Sequence, residues 1–310
     1  MIVTVTLNTA IDRVLSAPGL RLGKTARATL VATVPAGKGV NVSRYLSALD
    51  VPSVACGFVG RRELRMYEES FRDTLVTSTL IEVSAPTRIN TTLLSDAKSG
   101  ETHIREEGFS VPAAMKLQLR ELLFELSSAH GPFVFAGSLP PDFSPAEFTE
   151  IITGLKARDA VVVVDTSGTA LQSALTAEAD LITPNEEELG ELVKEQTTST
   201  SVIVESARLL LENVPEIAVK RGRKGGVLVT KEGSWSASAG LEDVEPQSTV
   251  GAGDAFLAGL LAAGERGDPA DARLVAAVAA GCASVLTAAV GTLDRKDYDA
   301  CLARVEVKEV

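Results

Sequence analysis

The feature that most constrains this chain is an alternation. Short apolar runs of strand length are separated again and again by stretches with helical spacing. Residues 2–7, 54–59, 133–136, 161–165, 181–183, 217–220 and 226–230 read as strands. Residues 41–49, 112–127, 145–155, 186–195 and 201–212 read as the helices between them. Strands that reach their neighbours through helices pair in parallel, so the pattern predicts an α/β fold, a doubly wound, mostly parallel sheet flanked by helices. Hydrophobic residues make up 45% of the chain and aromatics only 4%, so the core must be Val, Leu, Ala and Ile. Such a core suits strands buried on both faces.

Two segments break the alternation. Residues from about 13 to 35 and from 87 to 107 are extended and Thr-rich. The second carries a turn signal at 96–100 before a further strand at 102–105, which reads as a hairpin. Together they are expected to form a small β-sheet lid inserted into one domain that spans residues 1–310. The Ala-rich stretch 274–290 contains Gly281, Ser284 and Thr287 and reads as a buried helix, not a membrane span.

The net charge of -11 argues against a general nucleic-acid binder, which needs surplus Lys and Arg for phosphate backbones. A few cations in a cleft would still suffice for a small anion. Cys56, Cys282 and Cys301 share no metal-ligand spacing and read as reduced thiols. Thiols of that kind suit a cytoplasmic protein, and the apolar N-terminus, without a basic leader, reads as a first strand and not a signal peptide.

Two glycine loops carry the chemistry. In Thr249-Val250-Gly251-Ala252-Gly253-Asp254, small residues precede an Ala/Leu-rich helix. Backbone amides at such a helix start converge on an anion. A carboxylate beside them makes sense if it removes a hydroxyl proton as a phosphoryl group arrives, with the amides stabilising the developing charge. Asp also caps helices well, and taken alone the motif leaves both readings open. In Ala36-Gly37-Lys38-Gly39-Val40-Asn41, two glycines flank a lysine and Asn41 opens a helix. This fits a ligand loop, and equally a glycine turn with Asn41 as its cap. It is not a Walker A loop, because the G-x-x-x-x-G-K-[ST] spacing is absent. Ser138 has no G-x-S-x-G elbow around it, and His103 and His130 are isolated, so a hydrolase is rejected.

The motifs then combine. Asp12, the Gly37-Lys38-Gly39-Val40-Asn41 loop and Val250-Gly251-Ala252-Gly253-Asp254 resemble, in order, the ribokinase-like phosphofructokinase B family of sugar kinases. Thr87-Arg88-Ile89-Asn90, Gly137-Ser138-Leu139-Pro140 and Pro184-Asn185-Glu186-Glu187-Glu188 extend the resemblance over nearly the whole chain. It implies a ribokinase-like fold, ATP and Mg2+ as cofactors, and Asp254 as general base beside Gly251, Ala252 and Gly253. It also implies that Asp12, Asn41 and the Gly37–Gly39 backbone hold sugar hydroxyls. Arg88, Asn90 and Ser138 would grip an existing phosphate, with Lys38 nearby and Arg27 as a further lid charge. Asn185 and Glu188 would organise Mg2+ and the triphosphate, Glu188 through water. Lys220, Arg221, Gly222 and Gly225 would form the loop over the ATP phosphates, with 281–289 near adenine. The implied reaction is phosphorylation of a sugar phosphate, D-fructose 1-phosphate first, with tagatose 6-phosphate or fructose 6-phosphate as alternatives. A non-catalytic sugar-phosphate binder is the rival of a different class. A homodimer formed through the lid is also implied.

Three departures from the family pattern stand out. Thr183 occupies a position where relatives place lysine, and Lys220 is expected to replace that charge in part. Residues 60–67 lack the usual Gly/Asp-rich turn, which leaves the substrate less defined. Thr9 stands where proline is frequent, a mild change.

Overall fold

The computed structural model describes residues 1–95, 101–240, 246–287 and 290–310. The chain opens with β1 (Ile2–Thr6), β2 (Ala10–Ser16), β3 (Thr29–Ala36), α1 (Lys38–Ala48), β4 (Ser53–Gly60), α2 (Leu64–Phe71) and β5 (Val76–Val83). It continues through β6 (Arg88–Leu94), β7 (Glu101–Ile104), α3 (Ala113–Leu126), β8 (Phe133–Ala136), α4 (Pro145–Lys156), β9 (Val162–Asp165) and α5 (Gly168–Thr176). Next come β10 (Leu181–Ile182), α6 (Glu186–Val193), α7 (Thr200–Arg208), β11 (Glu216–Lys220), β12 (Gly226–Thr230) and β13 (Ser234–Ser238). The last elements are α8 (Ala252–Glu265), α9 (Ala270–Ser284), α10 (Arg295–Leu302) and β14 (Glu306–Glu309).

The main sheet has ten strands in the order β14-β13-β12-β11-β10-β9-β8-β1-β4-β5. Pairing is parallel from β5 across to β11 and antiparallel from β11 to β14. Strand order reverses at β1, which pairs with β4 on one side and β8 on the other. All residues of β1, β4, β8 and β9 are buried, as expected of parallel strands covered on both faces. Val3 and Val5 point into one core with α3 to α7, and Ile2 into another with α1, α8, α9 and α10. The Ala/Leu/Gly sequence of α8 is buried along most of its length, and the 274–290 stretch begins inside α9, also largely buried. No helix among the described residues is long and apolar enough to cross a membrane.

A second sheet of four strands, β3-β2-β6-β7, is formed by the two Thr-rich segments. Its middle pair, β2 and β6, is parallel, and both outer pairs are antiparallel. The turn expected at 96–100 lies outside the described residues. Residues 60–67 run through the end of β4 into α2, and Tyr67 Oη, fully buried, sits 2.6 Å from Ala10 O and 2.8 Å from Ala36 O. The hydroxyl thus sits between the start of β2 and the end of β3, with its single proton shared between the two carbonyls.

Candidate active site

Ligands of doubly wound sheets bind beyond the carboxyl ends of strands, where strand order reverses. Here that point lies between β1 and β8. Beyond it opens a cavity of about 530 Å3 whose walls include Asn8, Asp12, Gly37, Lys38, Asn41, Arg88, Asn90, Ser138, Gly251, Gly253 and Asp254. Residues from five separate stretches of sequence are thereby brought to one place. Gly39, by contrast, packs against β1: a Cβ there would meet Thr6 Oγ1 at 2.5 Å.

Asp254 sits in the first turn of α8, whose N-cap is Gly251 at φ 84 with no side-chain cap. The left-handed backbone at Gly251 is open to glycine at little cost and starts the helix without help from a carboxylate. Asp254 is therefore not the N-cap of α8. Asp254 is 5% exposed, and Asn41 Nδ2 donates to its Oδ2 at 2.8 Å. Asn41 does not cap α1 either, since that helix begins at Lys38 behind an N-cap Gly37. Burial pushes the Asp254 carboxyl up to about 6; Lys38 opposes this and the Asp165 carboxylate adds to it. A carboxylate tuned toward neutrality is what proton acceptance at ordinary pH requires.

Asp165, at the carboxyl end of β9, was not among the residues singled out from sequence. It is 1% exposed and takes Lys38 Nζ on Oδ2 at 3.3 Å and Lys220 Nζ on Oδ1. Burial alone would raise its carboxyl, but Lys220 and then Lys38 outweigh it and hold it at about 2. Asp165 in turn raises the Lys38 ammonium, aided by Asp254 and Glu188. Lys38 and Lys220 thus share one buried carboxylate close to Asp254. Thr183 is fully buried, and Lys220 reaches over the glycine loop: a Cβ on Gly253 would sit 3.8 Å from its Nζ. The sequence signal for Asp165 was an acid closing an all-apolar run, the position where a parallel strand meets its ligand crevice.

The opposite wall belongs largely to the small sheet. Asn90 Nδ2 donates to Asp12 Oδ1 at 3.0 Å, so Asn90 orients Asp12. Burial raises the Asp12 carboxyl against the pull of Asn90, Arg105, Arg88 and Arg44. The amide oxygens of Asn8, Asn41 and Asn90 are buried without a hydrogen-bond partner among the described residues. Buried acceptors of this kind call for a ligand that donates, and a polyol does.

A second cavity, about 240 Å3 and mostly apolar, lies across the glycine loop and shares Thr249 and Gly253 with the first. Lys220, Gly222, Arg223, Gly225, Phe256 and Val278 line it. Of segment 281–289, Gly281, Cys282 and Val285 contribute, while 288–289 lie outside the described residues. Gly225 has φ 83, and a Cβ there would collide with Ala237 O. Arg221, expected over the phosphates, turns away: its Nε pairs with Glu186 at 2.8 Å and its Nη1 with Thr200 at the same distance. Arg223 lines the cavity instead.

Asn185 and Glu188 form a reciprocal capping box at the start of α6, with both bonds at 2.8 Å. Among the described residues no three His, Cys, Asp or Glu side chains gather as metal ligands. Mg2+ held on a triphosphate keeps most of its water and needs only one or two carboxylates. Glu188, whose Oε2 serves the box, fits that part with its other oxygen.

The comparisons identify the class of protein to which this fold and its paired cavities belong, the carbohydrate kinases. The model of the pfkB family carbohydrate kinases matches residues 3–296. The 1-phosphofructokinase of Vibrio cholerae serotype O1 is 31% identical over 307 residues, covering 99% of this chain and 96% of the relative. That of Bacillus subtilis is 31% identical over 296 residues, covering 94% and 95%. A crystal structure of phosphofructokinase-2 from Escherichia coli, in complex with substrates and products, superposes with a TM-score of 0.91 at 25% identity, covering 97% and 98%. The chain belongs to the pfkB family of carbohydrate kinases.

Proposed function

We propose that this enzyme transfers the γ-phosphoryl group of ATP to D-fructose 1-phosphate, giving fructose 1,6-bisphosphate and ADP. The observation that carries the reading is the place of Asp254, a buried carboxylate tuned to about 6 where a polar cavity meets an apolar one. The choice of sugar follows relatives named 1-phosphofructokinase.

The sugar lies in the larger cavity with Asp12 and Asn41 on its hydroxyls. Asn41 holds one oxygen of Asp254, leaving the other for the acceptor hydroxyl. That hydroxyl oxygen bonds to the γ-phosphorus as its proton passes to Asp254 and the bond to the β,γ-bridging oxygen breaks. A helix's first amides have no partner within the helix, and those at the Gly251–Gly253 turn face the charge that builds up. Lys38 and Lys220, both paired with Asp165, neutralise the transferring group and the departing ADP. The smaller cavity takes adenine between Phe256 and Val278, with Gly222–Gly225 over the phosphates. Mg2+, held with Glu188 through water, would neutralise triphosphate charge. The small sheet acts as a lid, with residues 13–35 and 87–107 inserted into one kinase domain. Leu30 and Val31 are more than half exposed on its β3 strand, a surface that a second copy covers in a homodimer.

The test is a coupled ADP-release assay with fructose 1-phosphate, fructose 6-phosphate, tagatose 6-phosphate and free sugars. The highest kcat/KM belongs to fructose 1-phosphate. Preference for a free sugar, or no turnover with any phosphosugar, contradicts the reading.

A further inference from the structure

Arg88 is the residue expected on the acceptor's phosphate, yet its guanidinium is already engaged. It donates to Thr9 O at 3.4 Å, Glu106 O at 3.1 Å and Asn8 O at 3.0 Å, and to Ser138 Oγ at 3.4 Å. A guanidinium has five N–H donors, so most of its capacity holds the chain leaving β1 and the segment after β7. Those bonds shape the cavity wall and leave little for a planar, two-point grip on phosphate.

Arg105 stands one residue beyond β7. It is exposed, and it lines the same cavity. β6 and β7 run antiparallel with Thr91 opposite Ile104, which sets Arg105 across from Asn90, the residue bonded to Asp12. Both neighbours register its charge. Burial and then Arg105 lower the Arg88 pKa, and at Asp12 Arg105 counts for more than Arg88. Arg88 and Arg105 thus line the cavity with Asp12, two guanidiniums to one carboxylate at that end, while Asp254 lies on its wall with Lys38. A surplus of guanidinium over carboxylate at that end suits an anionic substituent on the sugar.

We propose that Arg105 binds the phosphate of the acceptor sugar and sets the preference for phosphorylated over unphosphorylated substrates, while Arg88 mainly builds the wall. This rests on the phosphosugar-kinase reading above. It also makes the small sheet part of the selectivity, because the gripping cation rides on its β7 edge.

The test is initial-rate kinetics on full-length Arg105→Gln and Arg105→Lys enzymes with fructose 1-phosphate and ATP, alongside thermal unfolding of each. Loss of a charge-assisted phosphate contact raises KM for fructose 1-phosphate roughly ten- to a hundredfold in Arg105→Gln. Arg105→Lys recovers part of that loss, and KM for ATP and Tm stay at wild-type values. An unchanged KM for fructose 1-phosphate overturns the role of Arg105 and leaves the kinase reading standing. So does an equal rise in both KM values accompanied by a lower Tm. A wild-type enzyme inactive on every phosphosugar removes both.

Discussion

Asn41 donates from Nδ2 to Asp254 Oδ2 across 2.8 Å, joining the first turns of two helices that are 213 residues apart in sequence. The bond fixes the carboxylate's direction, and burial around it sets its acidity. Direction and acidity together give the activity a definite pH dependence.

Only the ionised form of Asp254 accepts a proton. With its carboxyl at about 6, kcat/KM should be full at neutral and higher pH. Below that point it should fall about tenfold per pH unit, as for a single essential base. A pH–rate profile with fructose 1-phosphate checks this, and one that stays flat from pH about 5 to 8 goes against it.

Lys220 bonds to Asp165 and reaches over Gly253, which makes it the side chain on which to test whether it stands in for the lysine that Thr183 replaces. In Lys220→Ala the KM for ATP should rise about tenfold or more, the scale of one charge-assisted contact to phosphate. The KM for the sugar should change far less. An unchanged KM for ATP would remove Lys220 from the nucleotide site.

Asp165 titrates in the opposite sense to Asp254. Its folded carboxyl lies at about 2, below the ordinary 3.8, so its stabilisation is present above that ordinary value and is lost as pH falls through 2. Removing one partner of a buried charge cluster costs about 3–5 kcal/mol. Urea unfolding of Asp165→Asn at neutral pH should show a loss of that order, narrowing in acid. A gap that does not change with pH would mean that the loss is not electrostatic.

Arg221 serves as the control. Its guanidinium is spent on Glu186 and Thr200, on the helices beside the cavity. Arg221→Ala should lower Tm yet leave KM for ATP within about twofold, because loss of a buried charge partner acts on stability. A large rise in KM for ATP would place the side chain over the phosphates after all.

Periodicity and glycine loops made much of the architecture readable. β1, β4, β8, β9, β11 and β12 all lie where apolar runs place them. Elements that bury little were missed. β14 is wholly exposed, and α10 buries only Tyr298 and Cys301, so neither shows a core-facing pattern. In the site, glycine loops and helix starts pointed to Lys38, Asn41 and Asp254, whereas Asp12, inside β2, was reached only through the family resemblance. Asp165 was hidden as the last residue of a strand, Arg105 carried no motif, and Tyr67 acts through carbonyls that no sequence pattern reveals. Arg221 could not be told from Arg223 by sequence, because only the fold decides which side of the loop each one faces.

The most direct test of the account is the turnover of Asp254→Asn with fructose 1-phosphate and saturating ATP, followed by ADP release. Asparagine keeps the shape and the bond to Asn41 but cannot take a proton. The account predicts a fall in kcat of about a hundredfold to ten-thousandfold, the range for loss of a general base, with KM for ATP nearly unchanged. Near-normal turnover would contradict it.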